Sequence, residues 1–246
     1  MKTITSVQND EIKRLVKLHD NSERAQAQQF IAQGLRTIST LINNKAELIQ
    51  LYALEETIHE AQDLAAENLI TLVSDQVLKK ISPSVNPSGL IAVFKIPQTP
   101  AAHLLTPGLV LAQISDPGNM GTLIRTCAAM NIKSVVLIEG VDPYNPKVVQ
   151  ASAGTIAHVN IFSWSWHELL EHKGKLKLHA LIVDGGKKLA TIDPKHALLI
   201  VGSEAHGLPQ QWIEDCNDTI TIAMPGNTES LNAAVAGSIA LYEVFK

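Results

Sequence analysis

Short apolar runs punctuate the second half of the chain: LVLAQI (109–114), SVVLIEG (134–140), HVNIFSW (158–164), KLHALIVDG (177–185), HALLIVG (196–202) and TITIAM (219–224). Several are apolar almost throughout, where a half-buried strand would alternate with polar residues. Strands of that kind are buried on both faces, as in a parallel sheet with helices packed above and below. Helical periodicity falls between most of the runs, near 119–131, 209–216 and 230–244. Alternating strands and helices imply a mainly parallel α/β sheet, and ligands of such sheets bind just beyond the C-terminal ends of the strands. The proline, glycine and polar clusters of this half lie at those ends.

The stretch IPQTPAAHLLTPG breaks periodicity on both sides, as a linker does. Before it, helical patterns around 10–18, 34–43 and 57–66 alternate with ELIQLYAL (47–54), LITLVS (69–74) and GLIAVFKI (89–96), the signature of a small α/β domain. With 46% apolar and 18% charged residues, the chain can bury a core and is not of disordered composition. Cys127 and Cys216 have no CxxC partner, which argues against a disulfide framework or zinc site, and no other metal-ligand spacing is seen. The opening residues are polar where a secretion signal would be apolar, and no run approaches a membrane span. A cytoplasmic location is the expectation. A net charge of −4 does not decide for or against nucleic acid, which needs only a local basic face. Lys13, Arg14, Lys17, Arg24 and Arg36 offer one, interleaved with Asp10, Glu11, Asp20 and Glu23; a solvated, salt-bridged helix reads those charges equally well.

Three clusters carry the chemistry. Asp116-Pro117-Gly118-Asn119-Met120-Gly121 forms a tight turn into a helix, with Asn119 a candidate cap. On that helix Leu123, Cys127 and Met130 mark the buried stripe, and Arg125, about 200° around from Leu123, points away from it. Gly202-Ser203-Glu204-Ala205-His206-Gly207-Leu208 follows a strand, and its two glycines let backbone approach a ligand. No GK[ST] follows, and no G-x-G pair occurs anywhere, so the nucleotide-binding glycine fingerprints are missing and a dinucleotide-dependent enzyme is disfavoured. Ile222-Ala223-Met224-Pro225-Gly226 leads to Glu229-Ser230-Leu231-Asn232 at a helix entrance, where Ser230 is open to both a capping and a ligand-holding reading. Asn232, placed inside the first turn, fits a cap less well. Leu231, Val235, Ile239 and Tyr242 read as the buried stripe of this last helix. Ala233, Ala236, Gly237 and Ala240 form a small face suited to close packing, including against a second copy.

In this order and spacing, DPGNMGTLIRT, VGSEAHGL and IAMPGNTESLNAAVAGSIALYE, with DPYNPKVVQASAG (142–154) between the first two, resemble the signature motifs of the SpoU family of RNA ribose 2′-O-methyltransferases, in the SPOUT superfamily. SVQNDEIKRLVKL, Arg24, FIAQGLR (30–36) and NPSGLIAV resemble the ribosomal-protein-like substrate-binding domain of many relatives. The resemblance implies an N-terminal α/β RNA-binding domain (1–97), a linker (98–106) and a mainly parallel α/β methyltransferase domain (107–246) with a deep trefoil knot. It implies S-adenosylmethionine as cofactor, bound at Gly202, Ile222, Met224, Leu231 and Ser230, and catalysis by Arg125 with Asn119, Glu204, Ser230 and Asn232. The substrate would be structured RNA, ribosomal in preference to transfer RNA, and the protein a homodimer. A non-catalytic RNA-binding member of the family is the alternative. The chain departs from the pattern at Gln33, Gln150, Ala205, His206 and Ala223, none of which is assigned to chemistry.

Overall fold

The computed structural model describes residues 1–84, 87–203, 205–226 and 230–246. Contacts divide the chain into two units, Met1–Gln98 with Asp142–Ala157, and Thr99–Val141 with His158–Lys246.

The first unit contains β1 (Lys2–Ile4), α1 (Asp10–Lys17), α2 (Asn21–Ala27), β2 (Gln29–Gln33), α3 (Leu35–Asn43), β3 (Leu48–Ala53), α4 (Ile58–Leu64), β4 (Ile70–Val73), α5 (Asp75–Ile81) and β5 (Leu90–Lys95). Its sheet runs β1-β4-β3-β5-β2, with β2 and β3 antiparallel to β5 and the other pairs parallel. Ile12 and Leu15 of α1 and Val77, Leu78 and Ile81 of α5 bury one face with Ile31, Tyr52, Ile91 and Val93.

The segment 142–157, carried with the C-terminal domain in the sequence reading, packs on this unit, for an electrostatic and an aromatic reason. Arg24 is 1% exposed and its guanidinium grips Asp142 through Nε (2.7 Å) and Nη2 (2.6 Å), while Nη1 donates to the Leu18 carbonyl (2.9 Å). Arg24 therefore belongs to a buried ion pair and drops out of the basic RNA face. Tyr144 lies against Phe30, which stacks on Phe94, contacts worth roughly 0.5–1.5 kcal/mol each beyond burial. A Cβ at Gly154 would meet the Thr37 carbonyl at 2.4 Å.

The second unit holds β6 (Gly108–Ala112), α6 (Pro117–Ala129), β7 (Ser134–Ile138), β8 (Asn160–Ser163), α8 (Trp166–His172), β9 (Lys177–Leu181), β10 (Lys187–Lys188), β11 (Ala197–Val201), α9 (Gln210–Glu214), β12 (Asp218–Thr221) and α10 (Ala233–Phe245); α7 (Pro146–Ala151) lies in the first unit. Its sheet runs β10-β12-β9-β11-β6-β7-β8, and every pair is parallel. The central strands β6, β7 and β11 are buried at every position, as their continuous apolar sequences require. Because the strands are parallel, their C-terminal ends share one edge.

The helical face of α10 is the reverse of the sequence expectation. Ala233, Ala234, Gly237, Ala240, Leu241 and Val244 are buried, whereas Val235 is 48%, Ile239 41% and Tyr242 60% exposed. Gly237 explains the choice: a Cβ there would meet Leu123 of α6 at 2.5 Å and Val201 of β11 at 3.1 Å. The small face is thus used inside the unit, so α10 can lie close on α6.

Candidate active site

The loops leaving β6, β9, β11 and β12 emerge along the shared C-terminal edge from neighbouring strands. At about 4.8 Å per strand, the exits of β12, β9 and β11 span roughly 10 Å. All three sequence clusters are among these loops.

The β6 exit is locked to the β7 exit. Gln113 and Glu139 both adopt left-handed backbone (φ 59° each), and the Gln113 amide donates to the Glu139 carboxylate (2.7 Å). Gly140, at φ 92°, sits so near the Ile114 carbonyl that a Cβ would approach to 2.4 Å. This brace fixes where α6 begins. Asp116 caps it, accepting from the Asn119 backbone N–H at 2.7 Å, with Pro117 in the first turn. Asn119 therefore sits inside the first turn, three residues past the cap, where it donates its backbone N–H instead of supplying the capping side chain expected of it. Two turns on, Arg125 is exposed, as its helical position predicts, and makes no hydrogen bond or ion pair among the described residues.

The β11 exit closes on itself. Ser203 and Gly207 exchange backbone hydrogen bonds (3.1 and 2.9 Å), and the Ala205 N–H donates to the Ser203 hydroxyl. A Cβ at Gly202 would lie 2.6 Å from the Gly207 carbonyl carbon and 2.8 Å from Leu208 Cγ. Gly202 is thus required by the closure of the loop itself, and a valine there would disrupt the loop before it filled any ligand space. Glu204 lies outside the described residues.

Beyond β12, Ile222 and Met224 are half-buried. Ser230 is exposed and precedes the cap of α10; Leu231 is half-buried. Asn232 is that cap: its side-chain oxygen accepts from Ala234 N–H (2.9 Å) and Val235 N–H (3.3 Å). The sequence reading placed the helix start too early, so it put Asn232 within the first turn.

Sequence reasoning missed the β9 exit, Ile182–Gly186, because the strand-like run was carried through to Gly185. Strand pairing ends at Leu181, and the Asp184-Gly185-Gly186 turn signature could have shown it. Thr221 Oγ1 accepts from the Gly186 N–H (2.9 Å) and donates to the Ile182 carbonyl, tying this loop to β12. At Gly185, Gly207 and Gly226 no atom of the described residues outside their chain neighbours lies within 4 Å of where a Cβ would stand. Three exit loops therefore carry glycines with open space at Cα, and the β12 exit adds the half-buried Ile222 and Met224, with half-buried Leu231 just before the cap of α10. Such a cradle suits a ligand held by peptide groups and apolar contact.

Residues 107–242 match the SpoU rRNA Methylase family. The chain belongs to this family. Residues 9–92 match the MRM3-like substrate binding domain. Among relatives of this SpoU chain, an uncharacterized tRNA/rRNA methyltransferase of Synechocystis is 32% identical, covering 98% of this chain and 92% of the relative. The 23S rRNA (guanosine(2553)-2′-O)-methyltransferase RlmP of Bacillus subtilis is 26% identical over 99% of both chains. The crystal structure of an AdoMet-bound rRNA methyltransferase from Sinorhizobium meliloti shares the fold, with a TM-score of 0.87 at 24% identity over 99% of this chain and 97% of that one. The mixed α/β first unit and the parallel second unit of this SpoU member agree with the fold class expected from its sequence.

Proposed function

We propose that the chain is an S-adenosylmethionine-dependent methyltransferase acting on a ribose 2′-hydroxyl of ribosomal RNA. The observation that carries this reading is the convergence of the family's three motifs on one sheet edge, with an exposed arginine on the helix that starts there. Family membership supports methyl transfer to RNA, and the Bacillus subtilis relative, matched end to end, is named for a ribose 2′-O-methylation of 23S rRNA. The glycine-bare cradle of the β9, β11 and β12 exits fits the cofactor, with Gly202, Ile222, Met224, Ser230 and Leu231 as its binding residues and the newly found 182–186 loop beside them.

When bound, S-adenosylmethionine supplies an electrophilic methyl group. The protein's task is to align the hydroxyl and stabilise the charge that develops as its proton leaves. Arg125 serves as that stabiliser. A guanidinium stays protonated in proteins, so it cannot act as base, but its planar fork can hold phosphate and alkoxide together. With its oxygen committed to the helix cap, Asn232 keeps its amide N–H groups as donors. Glu204 and Ser230 position the substrate or take the proton through water, and Asn119 orders the first turn of α6.

Three further readings belong with this one. The exposed Val235, Ile239 and Tyr242 stripe suits a two-fold contact between copies of the chain, replacing the small face first assigned to it. Family membership supports threading of the C-terminal segment in a trefoil knot. Among the described residues no helix is long and apolar enough to cross a membrane, and a cytoplasmic enzyme is the reading that suits an RNA substrate. Incubation with methyl-labelled S-adenosylmethionine and bacterial 23S ribosomal RNA, followed by nucleoside digestion, should place label in a 2′-O-methylnucleoside; label only in methylated bases would contradict the reading.

A further inference from the structure

The sheet of the first unit is covered unevenly on the face that α1 and α5 bury. Ile4, Ile31, Tyr52 and Val73 are sealed beneath those helices. Two residues back along the same strands, on the same face, stand Lys2, Gln29, Gln50 and Thr71. Pairing staggers these across the sheet: Lys2 lies opposite the buried Thr71, which pairs with Tyr52; the Gln50 amide donates to Thr71 Oγ1 (2.9 Å) from the next row, where Gln50 and Ile31 both pair with Val93; and Gln29 lies one step further, opposite Lys95. With Arg14 and Lys17 of α1 they border an open groove of about 1290 Å³.

Its chemistry narrows what could lie there. The volume exceeds the roughly 300–1,000 Å³ usual for small-molecule pockets, so an extended ligand fits better than a metabolite. The half-buried Gln29 and Gln50 each carry an amide donor and acceptor, the complement of a nucleobase edge. Arg14 is exposed and has no hydrogen bond or ion pair among the described residues. Lys2 and Lys17 pair with Glu11 and Glu23. Burial pushes the Glu11 carboxyl up, yet bonds from Lys2 and Tyr52 and the charge of Arg14 hold it below the usual carboxylate range. Fixed carboxylates among the cations suit base edges, which offer amino groups, better than an unbroken line of phosphates. A protein partner fits less well, since protein interfaces favour aromatic and methionine anchors at their centre, and Tyr52 is only 2% exposed.

Building on the RNA methyltransferase reading above, we infer that this groove takes unpaired nucleotides of the RNA substrate, with Gln29 and Gln50 reading base edges and Arg14 and Lys17 holding the backbone. Proteins read RNA sequence chiefly on unpaired bases, whose edges are free. The groove thereby selects which RNA is presented for methylation.

The test compares the full chain with the triple variant Arg14→Gln/Gln29→Ala/Gln50→Ala and with Lys79→Gln, an exposed cation on α5 outside the groove. Filter binding to 23S ribosomal RNA should weaken at least tenfold in the triple variant. The salt slope should shrink by about 0.7, as one single-strand phosphate contact is lost. KM for RNA should rise while kcat at saturating RNA and affinity for S-adenosylmethionine hold, which also shows that the variant is folded. Poly(A) should displace RNA from the parent better than the poly(A)·poly(U) duplex, and that preference should shrink in the variant. If the parent itself transfers no methyl group to RNA, the enzymatic reading falls and this inference with it. If the parent methylates and the triple variant binds RNA within twofold of it, or Lys79→Gln loses as much, the groove assignment alone is overturned. Equal competition by the duplex overturns the unpaired strand.

Discussion

At Asn232 the side-chain oxygen is occupied by the amides of Ala234 and Val235, and that commitment lets capping and catalysis be separated. Asn232→Asp keeps the capping oxygen, so stability in urea should stay within about 0.5 kcal/mol of the parent; Asn232→Ala should cost roughly 1 kcal/mol. Both lose the amide donors, and turnover should fall about tenfold or more, the worth of a hydrogen bond to a charged group. Full activity in Asn232→Asp would reduce this residue to a cap. Arg125 tests the chemistry from the other side. It is exposed and off the buried stripe of α6, so Arg125→Ala should fold and bind S-adenosylmethionine like the parent. Single-turnover rates should drop on the order of a hundred- to a thousandfold, as for one lost oxyanion donor, and Arg125→Lys should recover little. Near-parent rates in Arg125→Ala would remove it from the mechanism. Such residue types were legible from sequence as polar groups beside glycine and proline turns. Their exact offsets were not, because Asp116 and Asn119, or Ser230 and Asn232, cap equally well until the backbone shows where each helix begins.

Among the elements, the long continuous apolar strands were read correctly, whereas short ones such as α2, β2 and α5 were not. GLVLA, SVVLI and ALLIV are buried at every position and admit no other reading than central strands. The α2 sequence NSERAQA has no apolar stripe and is held by the Asp20 cap and the buried Arg24, a partnership with Asp142 that spans 118 positions and leaves no local trace. In α10 apolar residues occur on both faces, so periodicity marks a helix without saying which face is inward; the fit of Gly237 on Leu123 decides it. The outward stripe then carries its own expectation. Ile239→Lys/Tyr242→Lys should leave the monomer folded, since both residues are exposed, and should shift the light-scattering mass from about twice 26.6 kDa to one. A parent that scatters as a monomer and still methylates would contradict the two-fold contact.

For the whole molecule, the return of 142–157 to the first unit means that neither half is a contiguous piece of chain. Removing the first 97 residues would strand Val148, Val149 and Ile156, now buried, together with Asp142, so binding by a fragment says less than binding by the intact protein. Arg24 ties that return together. Arg24→Ala would leave the Asp142 carboxylate mostly buried without its partner, a change that typically costs about 3–5 kcal/mol. Urea unfolding of the full chain should show a loss of that size, and a change below about 1 kcal/mol would mean the pair is not what holds the segment. In the function proposed above, each unit contributes a separate property, recognition of RNA in the first and methyl transfer in the second. The claim that joins them is that the full chain methylates a ribose hydroxyl of ribosomal RNA. Its most direct test uses an RNA carrying the acceptor nucleotide mapped by the labelling experiment, prepared with a ribose or with a single 2′-deoxyribose at that nucleotide. Labelled S-adenosylmethionine should methylate the ribose RNA and leave the equally well-bound deoxy RNA unlabelled; methylation of the deoxy RNA would contradict the account.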